Sequence, residues 1–210
     1  MTITKRLLPS YCISGRSLES VDGVILHYFS ARNVDKPNEF DLEACFDLFN
    51  DLNQPIHHRS RYMTDKPWGK PRMYASAHFL VGREGEVWQL VELNKQAYHA
   101  GASILKGREN CNTWTLGIEL IGHQHSGFTG EQYQSLASLL ADLEEKYKFP
   151  LENIAGHDQV RYNAMQKRHT LKAKYDPSGR KDGKGDNFDW SRLYQLLDQQ
   201  KTEEVGNEAI

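Results

Sequence analysis

The chain has 210 residues, 39% hydrophobic and 26% charged, enough apolar material for a sizeable core and unlike the composition of a disordered chain. Its formal charge of -2 supplies no long-range field, which argues against nucleic acid as a partner. Cys12, Cys45 and Cys111 are odd in number and lack a CxxC pair, so neither a disulfide framework nor a thiolate zinc site is indicated.

Near the start, Lys5 and Arg6 precede only Leu7 and Leu8 before Pro9, too short a run for a secretory signal core. No stretch approaches the ~20 apolar residues of a bilayer span, so a cytoplasmic location with no membrane partner is expected. Residues 23–29 read as a strand buried on both faces, with His27 inside it. From Asn38, read as an N-cap, apolar residues recur at Leu42, Cys45, Phe46, Phe49 and Leu52 on one helical face. The polar, basic connection 53–73 is long enough to be a working loop over a site.

Residues 77–81 and 87–91 read as strands joined by a hairpin through Gly82 and Gly85, and 115–121 as a further strand. The clearest helix starts at Thr129, with Gln132 placed for a capping box and Tyr133, Leu136, Leu140, Leu143 and Tyr147 on one stripe. A short strand at 153–155 leads into Gly156-His157-Asp158, and a last helix from Asp189 turns Trp190, Leu193, Tyr194 and Leu197 inward. Residues 178–187 and 201–210 lack periodicity. The expected architecture is a single α/β domain over 1–200, a mixed central β-sheet flanked by helices, with 201–210 as a disordered C-terminal tail.

Three side chains in these elements have the chemistry of a catalytic zinc site, which uses three nitrogen or oxygen ligands and one open position. His27 lies on a buried strand, His157 follows a glycine at a strand end, and Asp176 precedes Pro177, which stiffens its turn. A single core histidine is more often a hydrogen-bonded structural residue, so spacing alone leaves both readings open. Nothing matches the HExxH helix of the large zinc protease classes. Glu119 stands in the apolar strand Leu116-Gly117-Ile118-Glu119-Leu120, where a carboxylate needs a compensating partner; it reads as a structural ion pair or as a general base.

Together these residues resemble the zinc N-acetylmuramoyl-L-alanine amidases of the peptidoglycan-recognition-protein fold, especially the branch that processes anhydro-muropeptides. The resemblance covers most of residues 20–197. It is carried by Ile25-Leu26-His27, Ser76-Ala77-His78-Phe79 with Gly82-Arg83-Glu84-Gly85, Ala97-Tyr98-His99-Ala100-Gly101, Gly107-Arg108-Glu109-Asn110-Cys111-Asn112, Gly156-His157-Asp158 and Lys174-Tyr175-Asp176-Pro177. It implies a zinc site in a surface groove with His27, His157 and Asp176 as ligands, Glu119 as base and Lys174 as the oxyanion's partner. It also implies that Arg108 meets a stem-peptide carboxylate and that His99 and Asn112 line the pocket, with a structural role for these last two equally open. Tyr28 departs from the pattern, since the anhydro-muropeptide branch tends to place Asn there.

The activity so implied is hydrolysis of the amide between the lactyl group of N-acetylmuramic acid and L-alanine, in peptidoglycan or muropeptides. The alternatives are a binding module of the same fold, which would be expected to lack a ligand, and a glycoside hydrolase, which would need two carboxylates. Without a signal, either cytoplasmic recycling or release to the wall by a phage-type lysis route is compatible. His57, His58, His123 and His125 read as loop residues and Cys45 as core. Lys167, Arg168 and Lys172 read as a solvated basic face, and Trp88 and Trp190 as core.

Overall fold

In the computed structural model, residues 1–8, 14–30, 38–52, 75–123, 126–162 and 188–207 are described. Along them run β1 (Ile3–Lys5), β2 (Ser14–Gly15), β3 (Val24–Phe29), α1 (Leu42–Leu52), β4 (Phe79–Val81), β5 (Val87–Gln89) and β6 (Lys95–Gln96). There follow β7 (Ser103–Leu105), β8 (Arg108–Glu109), β9 (Leu116–Ile121), α2 (Gly130–Tyr147), β10 (Ile154–Gly156), β11 (Arg161–Tyr162) and α3 (Trp190–Asn207).

The main sheet has the order β1-β5-β4-β9-β3-β10. Its pairs are parallel except for the β4–β5 hairpin, so it is the mixed sheet expected. That hairpin turns where Gly85 takes φ 83°, a left-handed conformation open to glycine at no steric cost. Its turn is closed by Gly82 N donating to the Glu86 carbonyl at 2.9 Å.

Alternation along the two central strands divides the molecule into layers. Val24 and Leu26 of β3 and Leu116, Ile118 and Leu120 of β9 face α2 and α3, joining Leu136, Leu140, Leu143, Leu193 and Leu197 in one core. Each such side chain contributes about 1.5–3 kcal/mol when fully buried, which is why the two amphipathic helices dock there. The opposite face carries two separate apolar clusters. One gathers α1 (Cys45, Phe46, Phe49) onto Leu80, Leu90 and Ile121. The other gathers Ile25 and Ala155 under Leu105, Cys111, Trp114 and Val160.

The start of α2 is as expected: Thr129 accepts from Gln132 N at 3.1 Å, and the Gln132 side chain accepts from Thr129 N at 3.1 Å. The start of α1 corrects the reading of Asn38 as its N-cap. Asp41 Oδ1 accepts from Ala44 N at 2.7 Å and caps the helix, whereas Asn38 Oδ1 accepts from Phe40 N and shapes the turn before it. The end of α3 also differs from expectation, because the helix continues past position 200 to Asn207. Gln200 Nε2 donates to Ser138 Oγ at 2.9 Å and Lys201 Nζ meets Glu144 Oε2 at 3.0 Å, so contacts with α2 carry it beyond its apolar stripe. Among the described residues no helix is long and apolar enough to cross a membrane.

Candidate active site

Between the two apolar clusters the sheet presents a polar window. On β3 the side chains facing this way are Ile25, His27 and Phe29, and on β9 they are Gly117, Glu119 and Ile121. His27 and Glu119 are paired in register across β3 and β9, and Leu80 of β4 flanks Glu119 on its other side. Adjacent strands lie about 4.8 Å apart, so the imidazole and the carboxylate rise side by side from the same face. His27 is buried and Glu119 half-buried.

His157 arrives from the neighbouring strand. β10 runs parallel to β3 with Gly156 opposite Leu26, and the chain then enters a tight turn in which Gln159 Oε1 accepts from Gly156 N at 2.9 Å. This places the buried His157 ring 4.6 Å from that of His27, centre to centre. Two imidazoles bound to one zinc at about 2.0–2.1 Å have ring centres about 5 Å apart, so the pair fits a shared ion. The other two members of the expected set, Asp176 and Lys174, lie outside the described residues. Among the described residues no group of three His, Cys, Asp or Glu side chains is placed to hold a metal.

Behind His27 stands His99, whose Nδ1 is 3.1 Å from His27 Nε2. Its seat is specific. A Cβ at Gly117 would come within 2.5 Å of His99 Cγ, so only glycine lets the ring lie on β9. Asn112 Oδ1 accepts from the backbone N–H groups of His99 at 3.1 Å and Ala100 at 2.8 Å, so this amide holds the turn that carries His99. Burial, then the neighbouring His27, His78 and His157 rings and Arg16, keep His99 well below the usual imidazole range.

Further back lie residues that the sequence reading assigned no role. His78, fully buried, accepts from Gly117 N through Nδ1 at 3.0 Å, so its proton is on Nε2, facing the Lys95 carbonyl at 3.1 Å. Arg16 donates to the carbonyls of Leu93 (3.0 Å) and Thr115 (2.7 Å) and lies 3.1 Å from His78 Nε2. Burial and that guanidinium push His78 down to about 3, and burial pulls Arg16 to about 10. Histidines within Ser76-Ala77-His78-Phe79 and Ala97-Tyr98-His99-Ala100 were the available signal; nothing local pointed to Arg16 or Thr115.

Arg108 lies on β8, half exposed, paired with Asp22 at 2.8 Å and stacked 4.4 Å over Trp114, and none of these contacts is with His27, Glu119 or His157. Trp114 is itself buried and donates to the Glu109 carbonyl, so it serves packing. Cys45 is core as expected, and burial pushes the Cys111 thiol up, which removes it as a nucleophile. His123 is less of a solvent loop than expected: its ring meets Glu39 at 2.9 Å and stacks on Phe40. His57, His58, His125, Lys167, Arg168 and Lys172 lie outside the described residues.

Comparison with known proteins identifies the family and the fold. The profile of the N-acetylmuramoyl-L-alanine amidase family matches residues 17–179. The chain is 38% identical over 175 residues to the 1,6-anhydro-N-acetylmuramyl-L-alanine amidase AmpD of Haemophilus influenzae, covering 83% of this chain and 81% of that one. It is 35% identical over 130 residues to AmpD of Enterobacter cloacae, covering 62% and 61%. The match spans about three fifths of the length of the enterobacterial relatives. A crystal structure of a selenomethionine AmpD derivative superposes with a TM-score of 0.63 at 25% identity, covering 93% of this chain and 94% of that one. The mixed sheet, the paired His27 and His157 and the family match over most of the sequence lead to one conclusion: the chain belongs to the N-acetylmuramoyl-L-alanine amidase family.

Proposed function

We propose that the protein is a zinc-dependent amidase that cleaves the bond between the lactyl group of N-acetylmuramic acid and L-alanine, with soluble 1,6-anhydro-muropeptides as its substrates. The observation that carries this reading is the position of His27, beside Glu119 in register and against the His157 ring. The substrate class is supported by the names of the relatives, which are 1,6-anhydro-N-acetylmuramyl-L-alanine amidases. The cytoplasmic location expected from the sequence belongs to the same proposal.

On this reading His27, His157 and Asp176 hold the metal. Zinc, when bound, supplies Lewis acidity toward the scissile carbonyl and lowers the pKa of water to about 7. Glu119 takes the proton of the attacking water and returns it to the departing L-alanine nitrogen as the C–N bond breaks. Its place on β9, between Leu80 of β4 and His27 of β3, holds it beside the proposed metal ligand. Lys174 carries the charge that develops on the carbonyl oxygen, and Arg108 meets a carboxylate of the stem peptide.

The test is product analysis. The purified protein is incubated with anhydro-muropeptides and, separately, with intact peptidoglycan, and new L-alanine amino termini and new sugar reducing ends are counted. Amino termini, released faster from the soluble fragments, are expected. Reducing ends without amino termini would make the protein a glycosidase, and neither product would make it a binding module.

A further inference from the structure

Thr115 and His99 form a chain of polar contacts behind His27 that the proposed reaction does not use. Thr115 is fully buried at the entrance to β9, and its hydroxyl lies 2.7 Å from the Cys111 carbonyl and 3.4 Å from His99 Nε2. A carbonyl only accepts, so the short contact takes the hydroxyl proton. The oxygen of Thr115 is then an acceptor for His99 Nε2–H. A neutral imidazole has one N–H, so His99 Nδ1 must accept, and the group 3.1 Å from it is His27 Nε2.

We propose that Thr115 and His99 are a one-way hydrogen-bond relay that fixes the proton of His27 on Nε2 and leaves Nδ1 as the nitrogen that binds metal. The proposal rests on the reading of His27 as a ligand. Its direction is set by the one group in the chain that cannot reverse, the Cys111 carbonyl. The relay is also built to keep its position: Gly117 gives the His99 ring room against β9, and Asn112 clamps the backbone on which His99 rides. His99 and Thr115 are therefore positioning residues. Outer partners of this kind orient the ligand ring, and losing one costs about 10–100-fold in metal affinity or activity.

The experiment uses the metal-free chain and zinc alone. Long-range proton–nitrogen correlation spectra of the wild type should show His27 protonated on Nε2. Zinc affinity, read by competition with a chromophoric chelator, should fall about tenfold or more in Thr115→Val and stay near the wild-type value in Thr115→Ser, which keeps the hydroxyl. A His27 proton on Nδ1, or an unchanged zinc affinity in Thr115→Val, overturns the relay. His27→Ala separates the two ideas. If it binds zinc as tightly as the wild type, the reading of the metal site fails. If it loses zinc while Thr115→Val does not, only the relay fails. Should Thr115→Val not fold, the wild-type spectrum decides alone.

Discussion

His27 and Glu119 are register partners on neighbouring parallel strands, one residue of each strand aimed through the same gap between two apolar clusters. The proposed metal ligand and the proposed general base are thereby fixed on rigid backbone a single strand spacing apart.

Glu119→Gln keeps the size and most of the packing of the side chain but cannot take a proton. Turnover of anhydro-muropeptide should fall on the order of 100-fold or more, with zinc content and thermal unfolding unchanged. Steady-state rates beside zinc analysis check this, and near-normal turnover would remove Glu119 from the mechanism.

At Gly117 the added methyl of Gly117→Ala meets His99 Cγ at 2.5 Å, so ring or strand must shift. Overpacking of this kind costs about 1–3 kcal/mol. Urea unfolding should show that loss, and an unchanged midpoint would mean that the ring is not held where it is described.

How much of this was legible in the sequence depended on element length and on reach. β3, β9 and α2 carry six to eighteen residues of strong pattern, and their apolar faces are where periodicity placed them. β1, β2, β6, β7, β8 and β11 have two or three residues each, too few for any period, and apart from the local β7–β8 pair they are held by partners distant in sequence, as Ile3 is by Val87. Asn38 and Asp41 are both good capping types within one turn, so type alone could not choose between them. The His27–His157 pair was implied by the family resemblance, whereas the His27–His99–Thr115 chain joins residues 72 and 16 positions apart that no local pattern connects. Asp176 and Lys174 remain proposals.

Buried His78 gives a pH dependence with a definite sign. Its folded value of about 3 lies below the 6.5 of the free ring, so the unfolded chain binds a proton that the folded chain refuses. The stability this contributes is fully present above pH 6.5 and is lost as pH falls toward 3. The His78 ring proton should keep its neutral chemical shift down to about pH 4, and a titration near 6.5 would contradict the burial and the Arg16 contact.

The Arg108–Asp22 pair is exposed on both sides. Asp22→Ala should therefore change stability by no more than about 1 kcal/mol in urea unfolding. If Arg108 meets the stem peptide, Arg108→Ala should raise KM for muropeptide with little change in kcat, the signature of lost uniform binding. An equal loss in kcat and in kcat/KM would place Arg108 in the transition state instead.

The most direct measurement is a zinc titration of metal-stripped protein followed by the release of L-alanine amino termini from anhydro-muropeptide. The account predicts that release is absent without metal, rises with added zinc and breaks at one zinc per chain. Full release from the stripped protein, or a rise with no break at one equivalent, would contradict it.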